Sequence, residues 1–187
     1  VHLLIGGVAG AIAELEPWVR FGVSPFGIYR PGTPAGIQGL DAYATIYCDP
    51  LEWVNQGWVD YLAPQLYWPT TQTAQAYGTL LPWWASTCSG KSWIFAGNSH
   101  AKLGTSGAWT VDELREQVNL TRASRDQGAL GNVYFRMAML EDDLEGAGDD
   151  PQEAHVGARG ERDGDALDRA GLAVELDEHG VAEPDDR

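Results

Sequence analysis

The stretch "GWVDYLAPQLYWP", residues 57–69, decides the fold class, because it has the composition of a buried strand. Polar side chains inside such a strand cost free energy unless a partner satisfies them, and this one carries Asp60, Gln65 and Tyr67. Side chains alternate along a strand, so Gln65 and Tyr67 share a face and stand at its carboxyl end. Asp60 begins the strand on the other face.

Further strand-like segments lie on both sides of this one, at 18–25, 92–99 and 132–139. Helix-like segments at 2–16, 50–56, 71–86 and 110–127 alternate with them. Strands that alternate with helices predict a parallel α/β architecture. A (β/α)₈ barrel needs eight such units and about 250 residues, whereas we count about four units in about 140 residues. The sequence therefore predicts either a small open α/β sheet or half of a barrel.

The charge is concentrated in the last quarter of the chain. Residues 1–140 hold ten acidic and eight basic side chains, a net of −2, while 141–187 hold seventeen acidic and four basic, a net of −13. No aromatic residue follows Phe135. We predict a domain over 1–140 and an acidic, mostly disordered tail over 141–187, with one short helix in 165–180. A second interpretation is that the tail is a frame-shifted end.

Composition excludes several classes of protein. Neither part of the chain offers the basic patch that nucleic acid requires, so we expect no nucleic-acid partner. No apolar run reaches eighteen residues, so no transmembrane segment is predicted. Cys48 and Cys88 lie outside any CxxC motif, and neither a metal nor a cofactor is implied. We favour two unpaired thiols over a disulfide.

The carboxyl end of strand 59–68 is the first candidate site. Gln65 offers amide donors and an acceptor, Tyr67 offers a hydroxyl on a flat ring, and Trp68 offers a stacking surface. Such groups suit a sugar, whose hydroxyls surround an apolar ring face. Asp60 stands about 16 Å from Gln65, at the opposite end of the strand, so we interpret it as a structural pairing residue. The competing interpretation is that Gln65 and Tyr67 are core residues whose polar groups bond to partners within the fold.

Two loops follow the carboxyl ends of other strands, where binding loops of α/β proteins lie. The first, rich in Gly and Pro, supplies Ser24, Arg30 and Asp41. Asp41 is a candidate carboxylate, but it precedes a helix-like segment and could cap it. The second loop supplies Asn98 as a polar candidate and His100, which we interpret as a surface or loop residue rather than a base.

Three blocks of the sequence resemble a known family. They are "EPWVRFGVSPFGIYRPG" (16–32), "GLDAYATIYCDPLEWVNQGWVDYLAPQLYWP" (39–69) and "GNVYFRMAML" (131–140). Together they are similar to the glycosyl hydrolase-like family 10 domain of bacterial cell-envelope proteins. The resemblance covers roughly residues 8–140, and the tail has no part in it.

The resemblance implies a (β/α)₈-type barrel, hydrolysis of glycosidic bonds in peptidoglycan or a related polysaccharide, and an extracytoplasmic location, whether periplasmic, lipoprotein or secreted. No signal segment is visible in the chain. Family members carry an Asp-rich strand end upstream of the "PWVRFGVSP" block, and nothing here matches it. We therefore expect the C-terminal half of a barrel, with the missing N-terminal half as a partner. The chain does not begin with Met, which is typical of a processed product or a fragment.

Glycoside hydrolysis usually requires two carboxyl groups that flank the bond. Asp41 is the one candidate at the expected rim, so we expect at least one member of the pair to be absent from this chain. Sugar contacts are expected from Gln65, Tyr67 and Trp68, and further from Ser24, Arg30 and Asn98. The alternatives are a non-catalytic glycan-binding module, which needs no carboxylate pair, and an inactive truncated fragment.

Overall fold

A computed structural model describes residues 1–136 of the chain. The helices are α1 (His2–Leu15), α2 (Ala42–Ile46), α3 (Pro50–Asn55), α4 (Tyr77–Cys88) and α5 (Val111–Ala123). The strands are β1 (Gly22–Val23), β2 (Tyr61–Leu62), β3 (Trp93–Ser99) and β4 (Ala129–Phe135). Short 3-10 turns at His100–Lys102 and Arg125–Gln127 follow β3 and α5.

The four strands form one sheet in the order β1-β2-β3-β4, and every neighbouring pair is parallel. At least one helix connects each strand to the next. This arrangement confirms the predicted α/β class and is that of part of a (β/α)₈-type barrel. Because the strands are parallel, their carboxyl ends all meet at one edge of the sheet, which we call the carboxyl rim.

The first two strands are shorter than the sequence predicts, and proline accounts for their early carboxyl ends. Pro25 and Pro64 have no backbone N–H, so each interrupts the ladder within the predicted segments 18–25 and 59–68. Pairing resumes beyond them as single bridges, in which Gln65 lies between Phe26 and Gly97. The backbone of Gln65 is thus fixed in the sheet although it lies outside the regular strand.

The core lies between the sheet and its helices. Leu62 and Ile94 point from adjacent strands towards α4, whose Leu80, Leu81 and Trp84 are completely buried. The Trp84 indole Nε1 also donates a hydrogen bond of 2.9 Å to the carbonyl oxygen of Gly27. One side chain therefore ties α4 to the loop that follows β1.

The opposite face of the sheet is aromatic and only half-buried. Tyr61 and Phe95 meet there edge to face, with ring centroids 5.6 Å apart. The Tyr61 ring lies directly over Gly22 of the adjacent strand, where a Cβ atom would come within 2.2 Å of it. Glycine at this position is therefore required for the two strands to pair with Tyr61 in place.

The helix predicted over 110–127 and the predicted unpaired cysteines are confirmed. Thr110 caps α5 by accepting a hydrogen bond of 3.2 Å from the Glu113 backbone, and Gly128 follows the helical segment in a left-handed conformation, with φ of 107°. Both cysteines are unpaired and buried. Burial raises the pKa of both thiols, that of Cys88 to about 11, so each behaves as a small apolar side chain.

Other predictions reach beyond the described part of the chain. The acidic tail (141–187), its short helix, the frame-shift interpretation and the domain boundary at residue 140 all lie outside residues 1–136. Within those residues, no helix combines the length and apolar character needed to cross a lipid bilayer. Nor does the same range bring three or more metal-ligating side chains together.

Candidate functional site

Ser24 and Gln65, two of the predicted sugar contacts, lie side by side at the carboxyl rim. The Gln65 Nε2 donates to the Ser24 carbonyl oxygen and to its Oγ, both at 3.4 Å, while Ser24 Oγ donates to the Ala63 carbonyl at 2.9 Å. The Gln65 bonds are long and therefore weak. No donor within residues 1–136 bonds to its Oε1. The half-buried amide thus keeps hydrogen-bonding capacity for a ligand.

Tyr67 forms an aromatic platform at the same rim. Its ring stacks on that of Phe135, the last residue of β4, with centroids 6.2 Å apart and planes inclined by 30°. Phe135 remains 37% exposed. The Tyr67 carbonyl oxygen accepts a hydrogen bond of 2.7 Å from Lys102 Nζ, which fixes the backbone beneath the ring. The two stacked rings offer the flat apolar surface that a sugar ring requires.

Trp68 packs inward more than the sequence suggests. Its ring meets Phe26 edge to face at 5.7 Å and lies so close to Gly27 that a Cβ there would approach within 2.9 Å. The half-buried indole thus lies between the rim and the core. Its stacking on a sugar stays a prediction.

Asn98 faces the helices, on the opposite side of the sheet from Gln65. Its side chain is 1% exposed and points to the helical layer, where Nδ2 donates to Gln117 Oε1 at 2.6 Å and to the Tyr77 hydroxyl at 3.0 Å. Asn132 Nδ2 donates to its Oδ1 at 2.8 Å. Burial raises the pKa of Tyr77 to about 12, which keeps that hydroxyl neutral within the network. The predicted sugar contact by Asn98 has no support in this geometry.

Arg30 and Asp41 form a separate pair in the loop after β1. Asp41 Oδ1 accepts from the Ala44 backbone at 2.8 Å and so caps α2, as the competing interpretation predicted. Its Oδ2 lies 3.7 Å from Arg30 Nε, and the Arg30 guanidinium stands 4.5 Å from the Tyr43 ring centroid. No hydrogen bond or ion pair within residues 1–136 links these two side chains to Gln65. A catalytic role of Asp41 stays a prediction.

Asp60 has the structural role that its position predicted. One carboxylate oxygen accepts from Arg20 Nη1 and the other from the Phe21 backbone, both at 2.8 Å. These bonds join the amino-terminal ends of β1 and β2. A cleft of about 380 Å³ opens at this end of the sheet, lined by residues that include Arg20, Lys91 and Trp93. Active sites of parallel barrels lie at the other end, so we do not assign the site to this cleft.

Two notable residues near the rim escaped sequence reasoning. His100, interpreted from the sequence as a surface or loop residue, does lie in the turn after β3, but it is completely buried. Its ring lies edge to face against Tyr134, with centroids 4.2 Å apart. The 3-10 turn that begins at His100 folds this side chain inward. Glu113 is also buried, although the helix around it is charged. Its carboxylate accepts hydrogen bonds from Thr70, which lies in the loop after β2. The motif "TVDE" at 110–113 indicates a helix start, but it gives no sign of that partner.

The described residues form a parallel partial barrel with polar and aromatic groups at its carboxyl rim. The family model for "Glycosyl hydrolase-like 10" matches residues 1–110, and the chain belongs to this family. "Glycosyl hydrolase DigH" of Escherichia coli K12 is 34% identical over an alignment of 146 residues, and the match covers 71% of this chain and 33% of that protein. "Glycosyl hydrolase YngK" of Bacillus subtilis 168 is 30% identical over an alignment of 149 residues, and the match covers 75% of this chain and 29% of that protein. The chain thus spans about a third of these relatives.

Proposed function

We propose that residues 1–140 form the glycan-binding wall of a glycoside hydrolase domain that acts on bacterial cell-wall polysaccharide of the peptidoglycan type. The observation that carries the proposal is the grouping of Ser24, Gln65 and Tyr67 at the carboxyl rim of the parallel sheet. Amide and hydroxyl groups would bond sugar hydroxyls, and the Tyr67 ring would support an apolar sugar face. The names of the relatives and the family support the reaction class, and the proposed substrate places the domain outside the cytoplasm.

Hydrolysis by this domain would need a carboxylate beyond those that residues 1–136 place near the rim. A glycosidic bond is usually cleaved between two carboxyl groups, one that protonates the leaving oxygen and one that acts as base or nucleophile. Here Asp41 and Asp49 cap helices, and Asp60 is bound to Arg20. Asp41 is the proposed contribution of this chain, because it alone among these lies in a loop that follows a strand's carboxyl end.

The missing half of the barrel is the proposed source of the other carboxylate. Within the described residues, β1 and β4 each pair on one side only, and the aromatic face of the sheet is incompletely covered. The apolar helix α1 leaves Leu3 and Leu15 94% and 71% exposed. Unpaired strand edges and bare apolar faces of this kind bind a complementary partner or aggregate.

The second candidate function is a non-catalytic glycan-binding module. It is favoured because Asp41 and Asp49 already cap helices and Asp60 is already bound to Arg20. An assay of the full chain on purified glycan strands, which follows both binding and the appearance of new reducing ends, tests whether a second carboxylate is needed from elsewhere. We expect binding without new reducing ends from the chain alone. Release of reducing ends would show that this chain holds a complete carboxylate pair and would overturn that part of the proposal.

Replacement of Gln65 by alanine tests the rim directly. We expect it to lower the affinity for glycan strands about tenfold, because it removes a donor and an acceptor from the sugar-facing side. The matched control is Gln72→Ala, since Gln72 is exposed and its side chain bonds only to Gln75 within the described residues. Equal affinities of the Gln65→Ala variant and the wild type, measured by isothermal titration calorimetry, would remove Gln65 from the site.

A further inference from the structure

The loop after β2, which carries the proposed sugar-binding rings, is held by a buried carboxylate. Both oxygens of Glu113 accept hydrogen bonds from one residue of this loop: Oε1 from the Thr70 backbone N–H at 2.7 Å and Oε2 from the Thr70 hydroxyl at 2.8 Å. Such a two-point attachment fixes the orientation of the loop as well as its position. Glu113 is 8% exposed, so water competes little for these bonds.

Gln117, one helical turn further along α5, extends this attachment to the rim and to the sheet. Its Nε2 donates to the Trp68 carbonyl oxygen at 3.2 Å and to Glu113 Oε1 at 2.8 Å. Its Oε1 accepts from Asn98 of β3 at 2.6 Å. Trp68 and Thr70 are thus both tied to the first turns of α5, and through Gln117 to the sheet.

The position of Glu113 in its helix is the notable feature. Thr110 is the N-cap and Glu113 the third helical residue, the arrangement of a capping box, in which the glutamate normally bonds back to the N-cap backbone. Here the hydrogen bonds accepted by Glu113 come from Thr70 and Gln117 instead. The helix N-terminus still favours a negative charge at this position, which offsets part of the cost of burying the carboxylate.

We propose that Glu113, assisted by Gln117, is a positioning residue for the glycan site: it locks segment 67–70 so that the Tyr67 and Trp68 rings are oriented before sugar binds. This inference rests on the proposed function for the identity of the ligand, but not for the attachment itself. A preorganised segment 67–70 binds the glycan more tightly, because the segment loses no conformational freedom on binding. Both carboxylate oxygens of Glu113 accept hydrogen bonds, from Thr70 and Gln117, which suits a positioning role.

The test compares Glu113→Gln with Glu116→Gln in the full chain. Both changes remove one charge from α5, but Glu116 is exposed. We expect Glu113→Gln to weaken binding of tetra-N-acetylchitotetraose or purified glycan strands about tenfold. The Trp68 indole resonance, identified with Trp68→Phe, should shift or broaden in sugar-free Glu113→Gln. Glu116→Gln should leave both the glycan affinity and the Trp68 indole resonance unchanged.

A second variant covers the case in which Glu113→Gln fails to fold. Thr70→Val removes one hydroxyl donor from a half-buried loop and should weaken binding roughly threefold. Its effect should not add to that of Glu113→Gln, because both break one attachment. Unchanged affinity and an unmoved Trp68 resonance in either variant would overturn the inference. If the wild type binds neither glycan, the proposed function fails, while the sugar-free resonance still decides whether Glu113 positions the loop.

Discussion

Replacement of Trp84 by alanine is expected to lower the free energy of unfolding of the chain by about 3–5 kcal/mol. Its ring is completely buried between α4 and the sheet, so truncation leaves a large cavity that the surrounding side chains fill only in part. The carbonyl oxygen of Gly27 also loses the hydrogen bond from Nε1. Urea unfolding followed by circular dichroism measures the effect.

Trp18→Ala is the matched control for this prediction. The same residue type is 72% exposed there, so its removal should change stability by less than about 0.5 kcal/mol. The loss of unfolding free energy in Trp84→Phe should lie between those of Trp84→Ala and Trp18→Ala. This variant keeps an aromatic ring but still leaves the Gly27 carbonyl without its hydrogen-bond donor. Equal losses from Trp84→Ala and Trp18→Ala would show that the described core does not stabilise the chain.

Replacement of Tyr67 by alanine is expected to weaken glycan binding tenfold or more, which corresponds to at least ~1.4 kcal/mol of binding free energy. It removes one of the two stacked rings and leaves Phe135 without its neighbour at the rim. The backbone bond from Lys102 to the carbonyl of residue 67 is independent of the side chain, so the loop keeps this anchor. Loss of affinity should therefore reflect the ring itself.

Tyr47→Ala provides the comparison, since Tyr47 is 72% exposed and no ring stacks on it within the described residues. Calorimetric titration with purified glycan strands should give an affinity equal to that of the wild type for this variant. A Tyr67→Ala variant that binds as tightly as Tyr47→Ala would place the sugar elsewhere.

Much of the fold could be predicted because its signals are local. The alternation of apolar strands with helical segments predicted four parallel units. The alternation of side chains along 59–68 placed Asp60 and Gln65 on opposite faces of the strand. Proline effects were harder to predict: Pro25 and Pro64 end the regular pairing of β1 and β2 at Val23 and Leu62.

The site was less predictable, because its partners lie far apart in sequence. The contact of Ser24 with Gln65 joins residues 41 apart, and that of Thr70 with Glu113 joins residues 43 apart. Asn98 shows the limit most clearly. A polar residue near the end of a strand can face a ligand or the helices. Here Asn98 shares the face of Ile94 and Ala96, which belong to the core under the helices.

The most direct test of the central claim maps glycan binding onto the chain. The eight tryptophans give separate reporters in the indole region of a ¹H–¹⁵N spectrum. Trp68 lies at the carboxyl rim, and Trp93 lines the cleft at the opposite end of the sheet. Titration with purified glycan strands should shift the Trp68 resonance and leave that of Trp93 in place. Shifts at Trp93 without any at Trp68 would contradict the account.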